Sequence, residues 1–180
     1  MVWDTFYNNK TKQTALFINL FILNRNKISE VGYLTQFDLV NQSRYLSTLF
    51  PTNDYIAALK PRSNTWIGPQ NTLTSLHRDA NTESNLFLQL IGQKRVNLIH
   101  PSFKQNLYLH SNNSTLRNHS KFKGELPTRE DLKTYPLMDD VEVATAVLNP
   151  FDSLFIPANY FHSFKSLCNS FSINYWFKSD

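Results

Sequence analysis

Between Asn64 and Phe177 the chain is cut into about eight short runs rich in β-branched and aromatic residues, separated by Gly, Pro, Asn and Asp rather than by helix-length spacers. Runs this short bury a face only by pairing with one another. The pattern therefore predicts a mainly β domain, a double-stranded β-helix or jelly-roll barrel over 64–180. Expected strands are Asn85–Leu90, Arg95–Ile99, Ala144–Leu148, Ser153–Ile156, Phe161–Leu167 and Ser170–Phe177. The first two read as a hairpin turning at Ile91-Gly92-Gln93-Lys94, and His100-Pro101 ends the second.

The segment 1–63 reads instead as a helical or irregular part of the same domain: Thr14–Leu23 is apolar, Ser29-Glu30 suits a cap, and Phe37–Phe50 is apolar near helical spacing. The apolar run Ala15–Leu23 is far shorter than the ~20 residues that span a bilayer. Asn19 breaks it, and Arg25 and Lys27 stand where a leader has small residues, so no membrane segment and a cytoplasmic or nuclear location are expected. Residues 102–140 are polar, with a helical turn expected at Thr128–Leu132. A connection of that length is expected to cover an opening or bind something.

Cys168 is the single cysteine, which excludes an intrachain disulfide and a thiolate zinc cluster. Any metal must be held by nitrogen and oxygen. The net charge is +4, but Lys94, Arg95, Lys104, Arg117, Lys121 and Lys123 are spread out, which reads as a mildly basic solvated surface rather than a nucleic-acid face.

His77-Arg78-Asp79 lies inside the β region and His162 far downstream in it. Strand alternation puts His77 and Asp79 on one face with Arg78 turned away. A third ligand from a distant strand would complete a two-His, one-carboxylate facial triad with adjacent metal positions left open. Alone, His-x-Asp is a weak signal, since a surface histidine beside an aspartate is commoner. Its surroundings sharpen it: Trp66-Ile67-Gly68-Pro69-Gln70 precedes, Asn85-Leu86-Phe87-Leu88-Gln89-Leu90 follows, and Leu148-Asn149-Pro150-Phe151-Asp152 leads to Phe161-His162 and the closing Ser170–Phe177 strand.

That ordered set, over Gly32 to Phe177, resembles the JmjC-domain 2-oxoglutarate oxygenases with their cupin-like barrel, specifically the small hydroxylase branch. Gly32-Tyr33-Leu34, the Trp-Ile-Gly-Pro-Gln stretch and Asp131–Pro136 look most like the branch's protein-arginine hydroxylases, also described as candidate lysine demethylases. The asparaginyl hydroxylases acting on hypoxia-inducible factor are more distant. The resemblance implies Fe(II), O₂ and 2-oxoglutarate as co-substrate, with His77, Asp79 and His162 as metal ligands and catalytic residues. It further implies co-substrate contacts from Tyr33, Thr74, Asn85, Lys94 and Asn174, and Trp66 walling the substrate pocket. The implied reaction hydroxylates a side chain of a protein or peptide, arginine first, while 2-oxoglutarate loses CO₂ to give succinate.

Several positions depart from the family. Phe151 stands where glycine usually frees the turn, Asn71 replaces another glycine, Ser75 replaces a proline, and two extra residues lie between Asp79 and Asn85. The residues before Gly32 match little of what relatives use to complete the substrate pocket, so a shortened pocket is expected. Two alternatives compete: an RNA-base hydroxylase of the same fold, which would bind tRNA with steep salt dependence, and a cupin-like binding module without turnover. A lysine demethylase ranks below the hydroxylases.

Overall fold

The structure, a computed structural model, describes residues 32–42, 44–49, 54–80 and 83–178. In order these form β1 (Leu34–Phe37), α1 (Leu39–Gln42), α2 (Arg44–Leu49), α3 (Asp54–Ala58), β2 (Arg62–Gly68), β3 (Leu73–Arg78), β4 (Ser84–Ile91) and β5 (Lys94–Ile99). After a long excursion come β6 (Ala144–Leu148), β7 (Ser153–Ile156), β8 (Phe161–Ser166) and β9 (Ser170–Phe177). The regions 14–23 and 29–30, read as an apolar run and a cap, lie outside the described residues. Of the helical spacing over Phe37–Phe50, Phe37 closes β1 and the remainder supplies α1 and α2.

The strands build a five-stranded sheet, β1-β2-β9-β4-β7, and a four-stranded sheet, β3-β8-β5-β6. Every pair is antiparallel, and the pairing is nested: β2 with β9, β3 with β8, β4 with β7, β5 with β6. One long hairpin, its tip between β5 and β6, is in effect wound so that successive strands of each arm alternate between sheets. This is the jelly roll that the short apolar runs predict.

The hairpin expected of Asn85–Leu90 and Arg95–Ile99 is not there. β4 pairs with β7 and β9 while β5 pairs with β6 and β8, so Ile91–Lys94 carries the chain around a barrel corner instead of reversing it. Alternation reports which side chains face the core, and it is the same whichever sheet a strand joins. The corner itself decides. Gly92 has φ 72°, and a Cβ there would stand 2.0 Å from the Asn169 carbonyl oxygen. Beside it runs the β8–β9 corner: Gln93 N–H donates to Cys168 Sγ at 3.1 Å and Leu167 N–H to the Gln93 carbonyl at 2.9 Å.

Three apolar layers result. Trp66, Phe87, Val96, Phe164 and Trp176 fill the barrel, and Val40 and Ile56 from α1 and α3 cover Ile173 and Tyr175 on the outer face of the larger sheet. The outer face of the smaller sheet, Leu76, Ile99 and Phe161, is covered by Leu107, Phe122 and Met138 from the 102–140 region. That region carries a 3-10 helix (Pro101–Leu107), α4 (Asp131–Thr134) and a second 3-10 helix (Pro136–Asp140). The expected turn at Thr128–Leu132 begins with Thr128 N–H and Oγ–H both donating to Asp131 Oδ2, at 2.9 and 2.6 Å. Glu125 ties the segment down by pairing with Arg95 and Lys165, each at 3.0 Å.

Two departures noted in the sequence appear as left-handed backbone: Asn71 at φ 70° and Phe151 at φ 75°. Asparagine accepts that conformation with little strain; phenylalanine does so at about 1–2 kcal/mol. Phe151 is 87% exposed, so its ring recovers almost nothing by packing. The turn is held by Phe151 N–H to the Gln89 carbonyl at 2.7 Å and Asn149 N–H to Asp152 Oδ2 at 2.7 Å. Phe151→Gly is expected to stabilise the protein by about 1 kcal/mol, read as a thermal midpoint about 2–4 °C higher. A lower midpoint would contradict the strain.

Candidate metal centre

The site lies on β3 and β8 inside the barrel, where His77 and His162 are direct cross-strand partners. In a regular strand Thr74 and His77, three residues apart, would face opposite ways. β3 carries a bulge between them, three residues spanning what two span on β8, and both side chains consequently line one cavity. Asp79, two beyond His77, shares its face.

The tautomers follow from hydrogen-bond partners. His77 Nδ1 sits 2.9 Å from the Ser75 carbonyl and His162 Nδ1 3.3 Å from the Tyr160 carbonyl. A carbonyl only accepts, so each ring carries its hydrogen on Nδ1 and presents a bare Nε2. These Nε2 atoms lie 3.9 and 3.8 Å from the Asp79 oxygens, too long for a direct hydrogen bond. All three donor atoms fall within 4.8 Å of one another. Burial, then the neighbouring His162, pulls His77 down to about 4, and burial also lowers His162. Two neutral imidazole lone pairs and a carboxylate converging on one gap repel each other unless a cation sits between them. The nitrogen–oxygen donor set is one that a divalent transition metal accepts.

Behind Asp79 runs a chain of buried amides. Trp66 Nε1–H donates to Asn174 Oδ1 at 2.7 Å, Asn174 Nδ2 to Asn85 Oδ1 at 3.1 Å, and Asn85 Nδ2 to Asp79 Oδ2 at 2.9 Å. All of these residues line the cavity, but the two asparagines spend hydrogen bonds on the carboxylate's support.

Across the cavity lies Lys94, 1% exposed. Its Nζ donates to Tyr33 Oη at 3.4 Å and lies 5.6 and 5.4 Å from the ring centres of Tyr33 and Phe87. Among the described residues no carboxylate pairs with it, and burial alone pulls it down to about 7. Tyr33 shares a 3.2 Å hydrogen bond with Thr74, and burial pushes its phenol up to about 12. A Cβ on Gly68 would approach Tyr33 Cδ2 to 2.5 Å, so glycine there is what lets the ring lie across β2. Tyr33, Thr74 and Lys94 thus converge in the same cavity that the three donors line.

A wider groove opens beyond Tyr33, Trp66, His77 and Asp79. Arg62 and Glu83 form an ion pair at its rim, with Arg62 5.4 Å over the Trp176 ring. The 102–140 segment contributes Thr115, Asn118 and His119, so it does flank an opening. His119, not singled out in the sequence, stacks on His77 with ring centres 5.1 Å apart and planes within 15°. Hydrogen bonds from Arg78 N–H to the Asn118 carbonyl (3.0 Å) and Ser120 N–H to the Leu76 carbonyl (2.9 Å) hold it there. Its only sequence signal was a histidine in a loop too long to be idle. Arg78 is turned from the triad and bonds Asn159 Oδ1 at 3.0 Å.

The chain matches the profile of the cupin-like domain family over residues 8–180, a match that begins well ahead of Gly32. It is similar to JmjC domain-containing protein D of Dictyostelium discoideum, 31% identical over 96% of this chain and 42% of that protein. Lysine-specific demethylase 8 of Danio rerio is 30% identical over 97% and 44%, and lysine-specific demethylase JMJ30 of Arabidopsis thaliana 27% identical over 91% and 38%. The chain therefore spans less than half the length of these relatives. No helix among the described residues is long and apolar enough to cross a membrane.

Proposed function

The chain belongs to the cupin-like domain family, in its JmjC branch, and from that premise we propose that it is an Fe(II)- and 2-oxoglutarate-dependent oxygenase that hydroxylates a protein side chain, with arginine as the target. The observation that carries this reading is Lys94: a buried amine with no carboxylate partner among the described residues, sharing a cavity with a His-Asp-His donor set. A small molecule with a chelating head and a carboxylate tail satisfies both ends at once.

His77, Asp79 and His162 would hold the iron, which when bound supplies activation of O₂ against 2-oxoglutarate and oxidation of the substrate C–H bond. The Nδ1–H groups bonded to Ser75 and Tyr160 keep both Nε2 lone pairs aimed inward. Lys94, Tyr33 and Thr74 would bind the co-substrate's distal carboxylate by charge-assisted hydrogen bonds, fixing its length against the metal end. The aromatic walls Trp66, Phe87 and Phe164 exclude water from this reaction. The substrate would enter by the outer groove, past His119 and the Arg62–Glu83 pair.

Two of the relatives are named lysine-specific demethylases, which favours a second reading. Hydroxylation of an N-methyl C–H gives a hemiaminal that releases formaldehyde, so the two readings differ only in the bond presented. With iron, ascorbate, 2-oxoglutarate and a panel of arginine- and methyl-lysine-bearing peptides, mass spectrometry is expected to find one oxygen atom gained on an arginine, with succinate in equal amount. Formaldehyde and loss of a methyl group would establish the demethylase instead. Absence of metal binding and of succinate would sink both.

A further inference from the structure

Asp79 is the one carboxylate of the donor set, and its rotation about Cβ–Cγ decides how its two oxygens meet the histidines, Oδ1 now 3.9 Å from His77 Nε2 and Oδ2 3.8 Å from His162 Nε2. That rotation is governed from a distance. An indole N–H can only donate. Trp66 therefore requires Asn174 to turn its oxygen toward β2, which turns the Asn174 amide nitrogen toward Asn85. Asn85 must then show Asn174 its oxygen, which leaves its own nitrogen for Asp79 Oδ2. All three relay residues are at least nine-tenths buried, so water does not substitute for a missing link. Were Asn85 reversed, its oxygen would meet the carboxylate and repel it; were Asn174 reversed, its amide nitrogen would face the indole N–H and its oxygen the Asn85 oxygen.

We propose that Trp66 is a positioning residue for Asp79, setting through Asn174 and Asn85 the sense of a one-way hydrogen-bond relay that holds Oδ2 and so fixes the carboxylate plane with Oδ1 toward His77 and Oδ2 toward His162. This rests on the metal reading above and adds a residue that reaches the metal only through others. The relay ties three strands together, since Trp66 is on β2, Asn174 on β9 and Asn85 on β4, before it reaches Asp79 at the end of β3. The indole's role is thus separable from its packing beside Trp176, 6.5 Å away.

The test is Co(II) binding to the full chain, read by dissociation constant and by the visible d–d spectrum. Trp66→Phe keeps an aromatic ring and loses the N–H; replacing Trp66 with benzothienylalanine keeps the bicycle and loses only the N–H. Each is expected to weaken Co(II) binding about 10-fold and to alter the spectrum while unfolding cooperatively near the wild-type midpoint. Asn174→Leu breaks the same relay, so Trp66→Phe/Asn174→Leu should be no weaker than Asn174→Leu alone. Wild-type affinity and spectrum in the benzothienylalanine protein, or losses that multiply in the double variant, would overturn the relay and leave the metal site standing. A wild-type protein that binds no Co(II) would overturn both.

Discussion

Lys94→Met is expected to make the protein more stable and at the same time nearly blind to 2-oxoglutarate. Both effects come from one amine that is 1% exposed and pulled down to about 7 by burial, with no anion among the described residues to offset it. An amine titrating lower in the folded chain than in the unfolded one destabilises the fold wherever the unfolded amine is charged. The penalty is full below pH 7, shrinks as the folded amine loses its proton above pH 7, and vanishes near the unfolded value of 10.5. Methionine fills similar volume without charge, so at pH 7 and below the gain should approach about 4–5 kcal/mol, fading toward pH 10. The same substitution removes the cation proposed to meet the distal carboxylate, and affinity for 2-oxoglutarate in the Co(II)-loaded protein should fall about 100-fold or more. Wild-type affinity should itself weaken above pH 7 as the ammonium is lost. Thermal melts and calorimetric titrations from pH 6 to pH 9 decide it: a destabilised variant, or unchanged affinity, counts against Lys94 as the anion site.

Asp79→Ala is expected to cost at least about 1000-fold in succinate formation, the scale on which loss of an essential catalytic group is measured. Among the three donors it alone is anionic, and two neutral imidazoles hold a divalent ion poorly. The readout that separates this from a folding defect is linkage. Wild-type protein in Co(II) at 100 times its dissociation constant should gain about 2.7 kcal/mol of stability, and the variant none. Without metal the variant should melt close to wild type, since relief of lone-pair crowding opposite the Nε2 atoms at 3.8 and 3.9 Å is set against the loss of Asn85 Nδ2's acceptor. A variant still stabilised by metal to the wild-type extent would mean the ion binds elsewhere.

What could be read from the residues, and what could not, divides along physical lines. β6, β7 and β9 fall at the expected residues because short apolar runs between turn formers have few other options. The donor trio and the Tyr33–Thr74–Lys94 end are brought into one cavity, in keeping with the motif resemblance. The β4–β5 hairpin failed because alternation is blind to the partner, and only the contact between Gly92 and Asn169 across two corners shows that the chain changes sheets. The Thr74–His77 bulge is equally silent in sequence, though without it those two side chains could not share a cavity. Asn85 and Asn174 line the cavity; that they also stand behind Asp79 depends on which way an amide points, something fixed by a tryptophan on another strand. His119 was hidden because nothing local says which strand a loop will lie against.

The nested strand order has a consequence for biosynthesis. His77 emerges from the ribosome long before His162, and the two become neighbours only when β8 pairs with β3. A nascent chain halted anywhere between them holds an imidazole and a carboxylate on an unpaired strand, a combination with little grip on a divalent ion. A metal held by all three donors would bind only once β8 has paired with β3.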